Sequence, residues 1–169
     1  MSDQYPILKQ EEIRYIGPFD FDEVYRHLYE WLEWRQYDVR EKKFKDKMKP
    51  AAPIQREIEI KWIATKEIDE YTQFQYVIDY RIINWREVDV TKDGESKKIW
   101  NADLMIVINS NIILDKNAKW EENLPLHFIK KFFEAYVYKS TFERWKGMLW
   151  AESWGFYNEA KALLNLYKS

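Results

Sequence analysis

Polar and apolar residues follow first a strand-like and then a helical period in the first part of the chain. Residues 7–16 predict a short strand with imperfect alternation, and a Gly-Pro pair ends it. Apolar positions then recur every three or four residues, which is the period of a helix. Asp20 is suited to cap this helix because Glu23 follows three residues later, a pair that satisfies free N–H groups at a helix start. We therefore expect a helix over residues 20–36.

The next two segments have the two-residue period of β-strands. Residues 37–49 are rich in lysine, which favours a short edge strand whose charges discourage pairing with other sheets. In residues 54–66 apolar and charged side chains alternate, so one face should be buried and the other wet. The predicted buried set is Ile58, Ile60, Trp62 and Ala64, and the predicted wet set is Glu57, Glu59 and Lys61.

A β-hairpin is the strongest local signal in the sequence. Two β-rich stretches, residues 71–91 and 96–114, flank Asp93-Gly94, which favours a tight two-residue turn. The resulting register places Asp89 opposite Lys98, and these opposite charges support it. The further pairs that it predicts are Arg86 with Asn101, Trp85 with Ala102, Asn84 with Asp103, Ile83 with Leu104, and Ile82 with Met105.

The last part of the chain has a helical period. It predicts a long helix over residues 124–166, which Gly147 should kink or split. The order β-α-β-β-β-β-α indicates a single α+β domain over residues 1–169. We expect a bent antiparallel sheet of about five strands, with the N-terminal helix and the long C-terminal helix packed on it.

This order resembles the helix-grip architecture of START-like and Bet v 1-like ligand-binding domains. The likeness is in element order alone, because the chain has fewer clear strands and one helix where that architecture has two. No motif residue carries the resemblance, so it does not place the chain in that family.

Composition narrows the possible functions. The chain of 169 residues has no cysteine, which excludes disulfides, thiolate metal sites and cysteine nucleophiles. Its net charge of −2 is unlike the basic surface of a general nucleic-acid binder, so we expect no nucleic-acid partner. Nucleotide-binding, hydrolase and metalloprotease motifs are absent, and neither a cofactor nor a metal is predicted.

The start of the chain is polar, and no apolar stretch in the predicted sheet is long enough to cross a bilayer. We therefore expect a soluble cytoplasmic protein without a signal peptide or a transmembrane segment.

Aromatic residues make up 18% of the chain, which is the one unusual feature of its composition. They dominate ordinary cores, but they also line ligand pockets. Our first hypothesis is a binding domain, rather than an enzyme, that holds a small apolar or amphipathic ligand between the sheet and the C-terminal helix. The candidate ligand-binding residues are Trp62, Tyr76, Tyr80, Asn84, Arg86, Asn101, Asp103 and Trp145.

Two alternatives concern the polar members of this set. Arg86 and Asp103 are diagonal neighbours in the predicted register, and they could form an ordinary ion pair on an exposed rim. Alternatively, the opposite face of the hairpin is the buried one, in which case Asp79 and Arg81 must be paired.

The C-terminal helix suggests a second hypothesis, a protein-protein interaction or homodimerisation module. One sheet can hardly bury three Trp rings from a single helix, and exposed Trp beside Arg is typical of an interface. The candidate partner-binding residues are Arg144, Trp150 and Trp154. A membrane surface is an alternative for the same residue types, although the basic excess of this region is small.

A third hypothesis is a hydrolase-type enzyme with a carboxylate and a histidine. Glu23, His27 and Glu30 share one helix face, and this spacing could also hold a metal ion. The more ordinary interpretation is a solvated helix face. His127, at the start of the C-terminal helix, is the other candidate base.

Overall fold

The protein is a five-stranded antiparallel sheet with one helix between the first two strands and a helical region after the last strand. The computed structural model describes residues 3–49, 55–115 and 124–168. The strands are β1 (Asp3–Phe19), β2 (Asp38–Lys49), β3 (Gln55–Glu67), β4 (Thr72–Lys92) and β5 (Glu95–Leu114). Their order in the sheet is β1-β5-β4-β3-β2, so β1 and β2 are the edge strands. The helical elements are α1 (Phe21–Trp34), α2 (Leu124–Phe132), a π-helical turn (Phe133–Val137) and α3 (Lys139–Asn165).

The predicted α+β fold and its element order are confirmed. The predicted edge strand is β2, and α1 begins at the predicted cap, where the Asp20 carboxylate accepts a hydrogen bond from the Glu23 N–H at 3.2 Å. This bond satisfies an N–H group that has no partner within the helix. The buried residues of α1 are Val24, Leu28 and Leu32.

The core lies on one face of the sheet, between it and the helices. In β3 the alternation is as predicted, because Ile58, Ile60, Trp62 and Ala64 are at most 3% exposed. α3 covers the same face with Leu149, Phe156 and Ala160, each fully buried.

One residue of β3 departs from the predicted pattern. Glu57 was expected to be wet but is 4% exposed. The Nε of Arg81, on the neighbouring strand, lies 2.6 Å from its carboxylate. This cross-strand contact covers the charge and compensates its burial.

The hairpin turn is confirmed. Asp93 and Gly94 have φ angles of 54° and 79°, as a type I′ turn requires. Asp89 lies opposite Lys98 and Arg86 opposite Asn101, as predicted.

The pairs predicted farther from the turn are wrong by one residue. Asn84 has a φ angle of 56°, and the register shifts between Ile83 and Arg86. This is a β-bulge at Asn84 and Trp85, which adds one residue to β4. Ile83 therefore lies opposite Asp103, and the predicted pairs of Trp85 with Ala102 and Asn84 with Asp103 do not form.

The bulge changes the face on which each side chain of β5 lies, because one residue of slip reverses the alternation. Ile82 lies opposite Leu104, not Met105. Leu104 and Ile106 are fully buried in the core, whereas Met105 and Val107 are only partly buried.

Four side chains stack in a column beside the bulge. The Arg56 guanidinium lies 4.8 Å from the ring centroid of Trp85, and the Trp85 and Trp100 rings are 4.6 Å apart with 18° between their planes. Trp100 stacks in turn on Phe21 at 4.7 Å. A cation over stacked rings is a favourable arrangement, and it joins β3, β4 and β5 to the start of α1.

The C-terminal helical region is interrupted at a different place from the predicted one. α3 runs through Gly147 without a break, so the expected split there is wrong. A Cβ at Gly147 would meet nothing within 4 Å, and a glycine on an open helix face lowers stability without ending the helix. The interruption is the π-helical turn, where the Tyr138 N–H donates to the Phe133 carbonyl at 2.8 Å.

α3 has 27 residues, but neither it nor another helix in the described ranges combines the length and the apolarity that crossing a membrane requires.

The bulge generates a prediction about stability. Replacing Asn84 with valine should lower the free energy of unfolding by about 1–2 kcal/mol, because a β-branched residue is strained at positive φ. Asn84→Gly is the matched control and should leave stability nearly unchanged, since glycine adopts this conformation freely. Urea unfolding measures both variants. Equal losses in the two would show that the asparagine side chain, rather than the backbone conformation, matters at this position.

Candidate functional site on the C-terminal helices

Three of the predicted ligand-binding aromatics are core residues. Trp62, Tyr76 and Tyr80 are at most 1% exposed. The rings of Trp62 and Tyr80 are 4.8 Å apart, and Tyr25 of α1 packs on Trp62 at 4.7 Å. Tyr76 packs instead on Tyr37 and Phe156, at 5.2 and 6.0 Å, and the role of all three residues in ligand binding stays a prediction.

The predicted polar contacts lie apart from these rings. Asn84 and Arg86 are exposed, while Asn101 and Asp103 are partly buried. Asp103 forms its ion pair with Arg14 of β1, at 3.3 Å, on the side of the sheet away from the core.

Asp79 and Arg81 of β4, the alternative candidates, also lie on the face of the sheet away from the core. Asp79 lies 3.5 Å from Lys61. Arg81 binds Glu57, so both charges are paired with residues of β3. Because this face is not the core, the pairs are explained as cross-strand contacts.

The tryptophans of α3 differ in exposure. Trp145 is partly buried and packs on Phe74 at 5.9 Å. Arg144 is exposed, with its guanidinium 4.7 Å from the Trp145 ring. Trp150 is 51% exposed and contacts the partly buried Trp154 at 5.7 Å. Arg144 and Trp150 are therefore accessible to a partner, and their binding role stays a prediction.

Of the two candidate histidines, His27 contacts a neighbouring helix. The His27 Nε2 is 2.7 Å from the Glu159 carboxylate on α3, and Glu23 accepts a hydrogen bond from the Tyr167 hydroxyl. His27 and Glu30 also line a surface cleft of about 260 Å³ between α1 and α3. Among the described residues, no group of three or more acidic, histidine or cysteine side chains could hold a metal ion. The side chain of His127 lies outside the described part of the chain.

A buried hydrogen-bond network fixes α3 on the sheet. The hydroxyls of Tyr37 and Tyr76 both donate to one oxygen of Glu152, at 2.6 and 3.0 Å. Next to them, the hydroxyl oxygens of Ser110 and Ser153 are 2.7 Å apart. Burial raises the pKa of both tyrosines, and the charge of Glu152 adds to the rise. The network connects α3 to β4 and β5. Its polar groups are tolerated in the core because they are hydrogen-bonded to one another.

Two charged residues of α2 and the π-helical turn, Lys130 and Glu134, face the body of the protein, whereas Lys131 is exposed. Lys130 is 4% exposed, and its Nζ lies 2.9 Å from Asp3 and 3.5 Å from Asp115. Burial alone would lower the pKa of Lys130, but the bond to Asp3 and the nearby carboxylates leave it raised. Four residues later, Glu134 accepts a hydrogen bond from the Tyr71 hydroxyl. Polar contacts therefore hold this segment against the sheet.

The opposite side of the same segment is apolar and exposed. We call the exposed apolar side chains of this side the apolar face. They are Phe128 (70% exposed), Ile129 (52%), Phe132 (62%), Tyr136 (77%) and Val137 (58%). The rings of Phe132 and Tyr136 are 5.0 Å apart. The five side chains together expose roughly 500 Å², near the upper limit for apolar patches on monomeric proteins. The largest apolar patch of a monomeric protein is often functional.

Sequence reasoning missed the apolar face. Phe128, Phe132 and Tyr136 recur every four residues, but this spacing is equally typical of a helix face buried in a core. The useful signal was on the other side, where Lys130 and Glu134 have the same spacing. The contacts of Lys130 and Glu134 with residues distant in the sequence show which side faces inward.

No protein family, curated protein or solved structure matches this chain.

The contacts of Lys130 generate a prediction. Lys130→Met should lower the free energy of unfolding by about 3 kcal/mol, because it takes the cation away from the buried Asp115 carboxylate. Lys131→Met is the matched control on the exposed side of the same helix and should change stability by less than about 0.5 kcal/mol. Urea unfolding compares the two. A similar small effect in both variants would contradict the inward orientation of Lys130.

The tyrosines generate a prediction about alkaline pH. Burial, and then the bond to Glu41, raises the pKa of Tyr25 to about 12. A raised pKa stabilises the fold below pH 10, where tyrosine is protonated in both states, and this stability is lost as the pH rises through about 12. The free energy of unfolding should fall over this window, and it should fall less steeply in Tyr25→Phe. Identical slopes in the two proteins would rule out a contribution from Tyr25.

Proposed function

We propose that this protein is an interaction module that attaches to a partner surface through the apolar face. The observation that carries the proposal is the orientation of α2 and the π-helical turn, with Lys130 and Glu134 turned inward and the five side chains of the apolar face turned outward. A helix held only as cover for the sheet would show the reverse arrangement. Keeping roughly 500 Å² of apolar surface in water is unfavourable, and a partner that covers it removes this cost.

The charges around the apolar face indicate the chemistry of the partner. From Phe128 to Ser140, a stretch that is fully described, the exposed charged side chains are Lys131 and Lys139. A complementary surface is therefore apolar at its centre and negatively charged at its rim. Arg144 and Trp150, two of the three partner-binding residues predicted from sequence, are also exposed and lie one to three helical turns farther along the chain.

The small-ligand and homodimer hypotheses have less support than this proposal. A small apolar ligand between the sheet and α3 stays a prediction, because the aromatics proposed to line its site are packed on neighbouring rings. Homodimerisation through the apolar face would bring lysines of the two copies together, which opposes it.

Photo-crosslinking tests the proposal without assuming the kind of partner. The full chain carries p-benzoylphenylalanine in place of Phe132, a substitution that keeps the aromatic character, and is irradiated in the cells that make the protein. A matched control carries the same group in place of Trp34, which is 86% exposed at the end of α1. We expect covalent adducts at position 132 in several-fold excess over position 34. Equal yields at the two positions, or none at either, would refute the proposal.

A further inference from the structure

We infer that the surface covered by the apolar face is an anionic lipid bilayer, on which the protein lies without crossing it. This inference rests on the proposed attachment function and names its partner. It is carried by three features of the α2 segment, which concern residue chemistry, charge and shape.

The residue types match the interfacial zone of a bilayer. Phe132, Ile129 and Val137 are wholly apolar and suit the acyl-chain boundary. Tyr136, at 77% exposure, combines an apolar ring with a hydroxyl, and such rings are enriched at the level of the lipid headgroups. Lysine beside these residues can extend its ammonium to the phosphates while its methylene stem stays in apolar surroundings.

The sign of the charge favours lipid over a second copy of the chain. Lys131 and Lys139 are both exposed, and the acidic residue between them, Glu134, is engaged by Tyr71. Each basic residue held near an anionic bilayer contributes about 1 kcal/mol to binding, which is roughly fivefold in affinity. A second copy offers the same cations and gains nothing comparable.

The shape of the segment also favours a bilayer over a protein. The apolar side chains stand on the outer side of a helix whose inner side is held by Lys130 and Glu134. A protein partner would need a groove complementary to this convex ridge, as helix-binding proteins have. A bilayer needs no groove, because an interfacial helix sinks into the headgroup region by about 5–10 Å, which is close to the diameter of a helix.

The absence of native cysteine allows a direct measurement on the full chain. Tyr136→Cys is labelled with a polarity-sensitive fluorophore and mixed with vesicles of phosphatidylcholine alone or with added phosphatidylserine. We expect a blue shift of the emission with the phosphatidylserine vesicles. Trp34→Cys, labelled in the same way, is the matched control for an exposed aromatic position and should show no shift.

Two pairs of lysine variants test the role of charge. Lys131→Gln/Lys139→Gln should weaken binding of the protein to phosphatidylserine vesicles by roughly 30-fold in a sedimentation assay. Lys42→Gln/Lys45→Gln removes two exposed lysines of β2 instead and should leave binding nearly unchanged. Since salt screens these interactions, raising the ionic strength should weaken the wild type more than the first variant.

The apolar contribution is tested separately. Phe132→Ser/Tyr136→Ser should abolish sedimentation with phosphatidylserine vesicles, whereas Ile16→Ser/Trp34→Ser, which removes two exposed side chains elsewhere, should not. Thermal unfolding of each variant shows whether it is folded, and these exposed positions should tolerate serine.

The outcomes separate this inference from the proposed function. No shift at position 136 with either vesicle, or equal binding by all variants, overturns the bilayer as the partner. If protein adducts still form at position 132 in the crosslinking experiment, the attachment function stands with a protein as its partner. If lipid binding and crosslinking are both absent, the two proposals fall together.

Discussion

Burial of a single face of the sheet is the constraint on which the rest of the structure depends. The strands supply a row of large apolar side chains on that face, and α1 and α3 must cover them. The outer face can then carry ion pairs between neighbouring strands, such as Asp103 with Arg14 and Lys61 with Asp79. The strand register decides on which face of the sheet each side chain lies. One extra residue at Asn84 therefore decides which of the alternating side chains of β5 face the core.

Local sequence signals predicted the features that are decided locally. The Asp93-Gly94 turn, the cap at Asp20 and the alternation of β3 each depend on residues only a few positions apart. The element order followed from them. The bulge was not predicted because Asn84 is compatible with both an extended and a left-handed backbone. The adjacent apolar residues Ile82 and Ile83, which interrupt strict alternation, were the only hint of it.

The candidate site depended on contacts between distant parts of the chain. The period of α2 shows that one side is apolar and the other charged, but it does not show which side faces the sheet. That choice is made by Asp3 in β1 and Asp115 directly after β5, whose carboxylates both lie close to the Lys130 ammonium. Similarly, the sequence indicated an accessible tryptophan on α3, and the packing of Trp154 on Tyr157 left Trp150 as the exposed one.

The pairing of β1 with β5 also has a consequence for how the chain folds during synthesis. Tyr15 lies opposite Leu104, so β1 pairs with a strand that follows it by almost ninety residues. At the usual translation speed of roughly 5–20 residues per second, β1 leaves the ribosome several seconds before β5 exists. Closing so long a loop is slow, and the meander β2–β5 can form earlier from contacts that are closer in sequence. β1 is therefore expected to be the last strand to join the sheet. Until it does, the edge of β5 that later pairs with β1 is open to pairing with other chains.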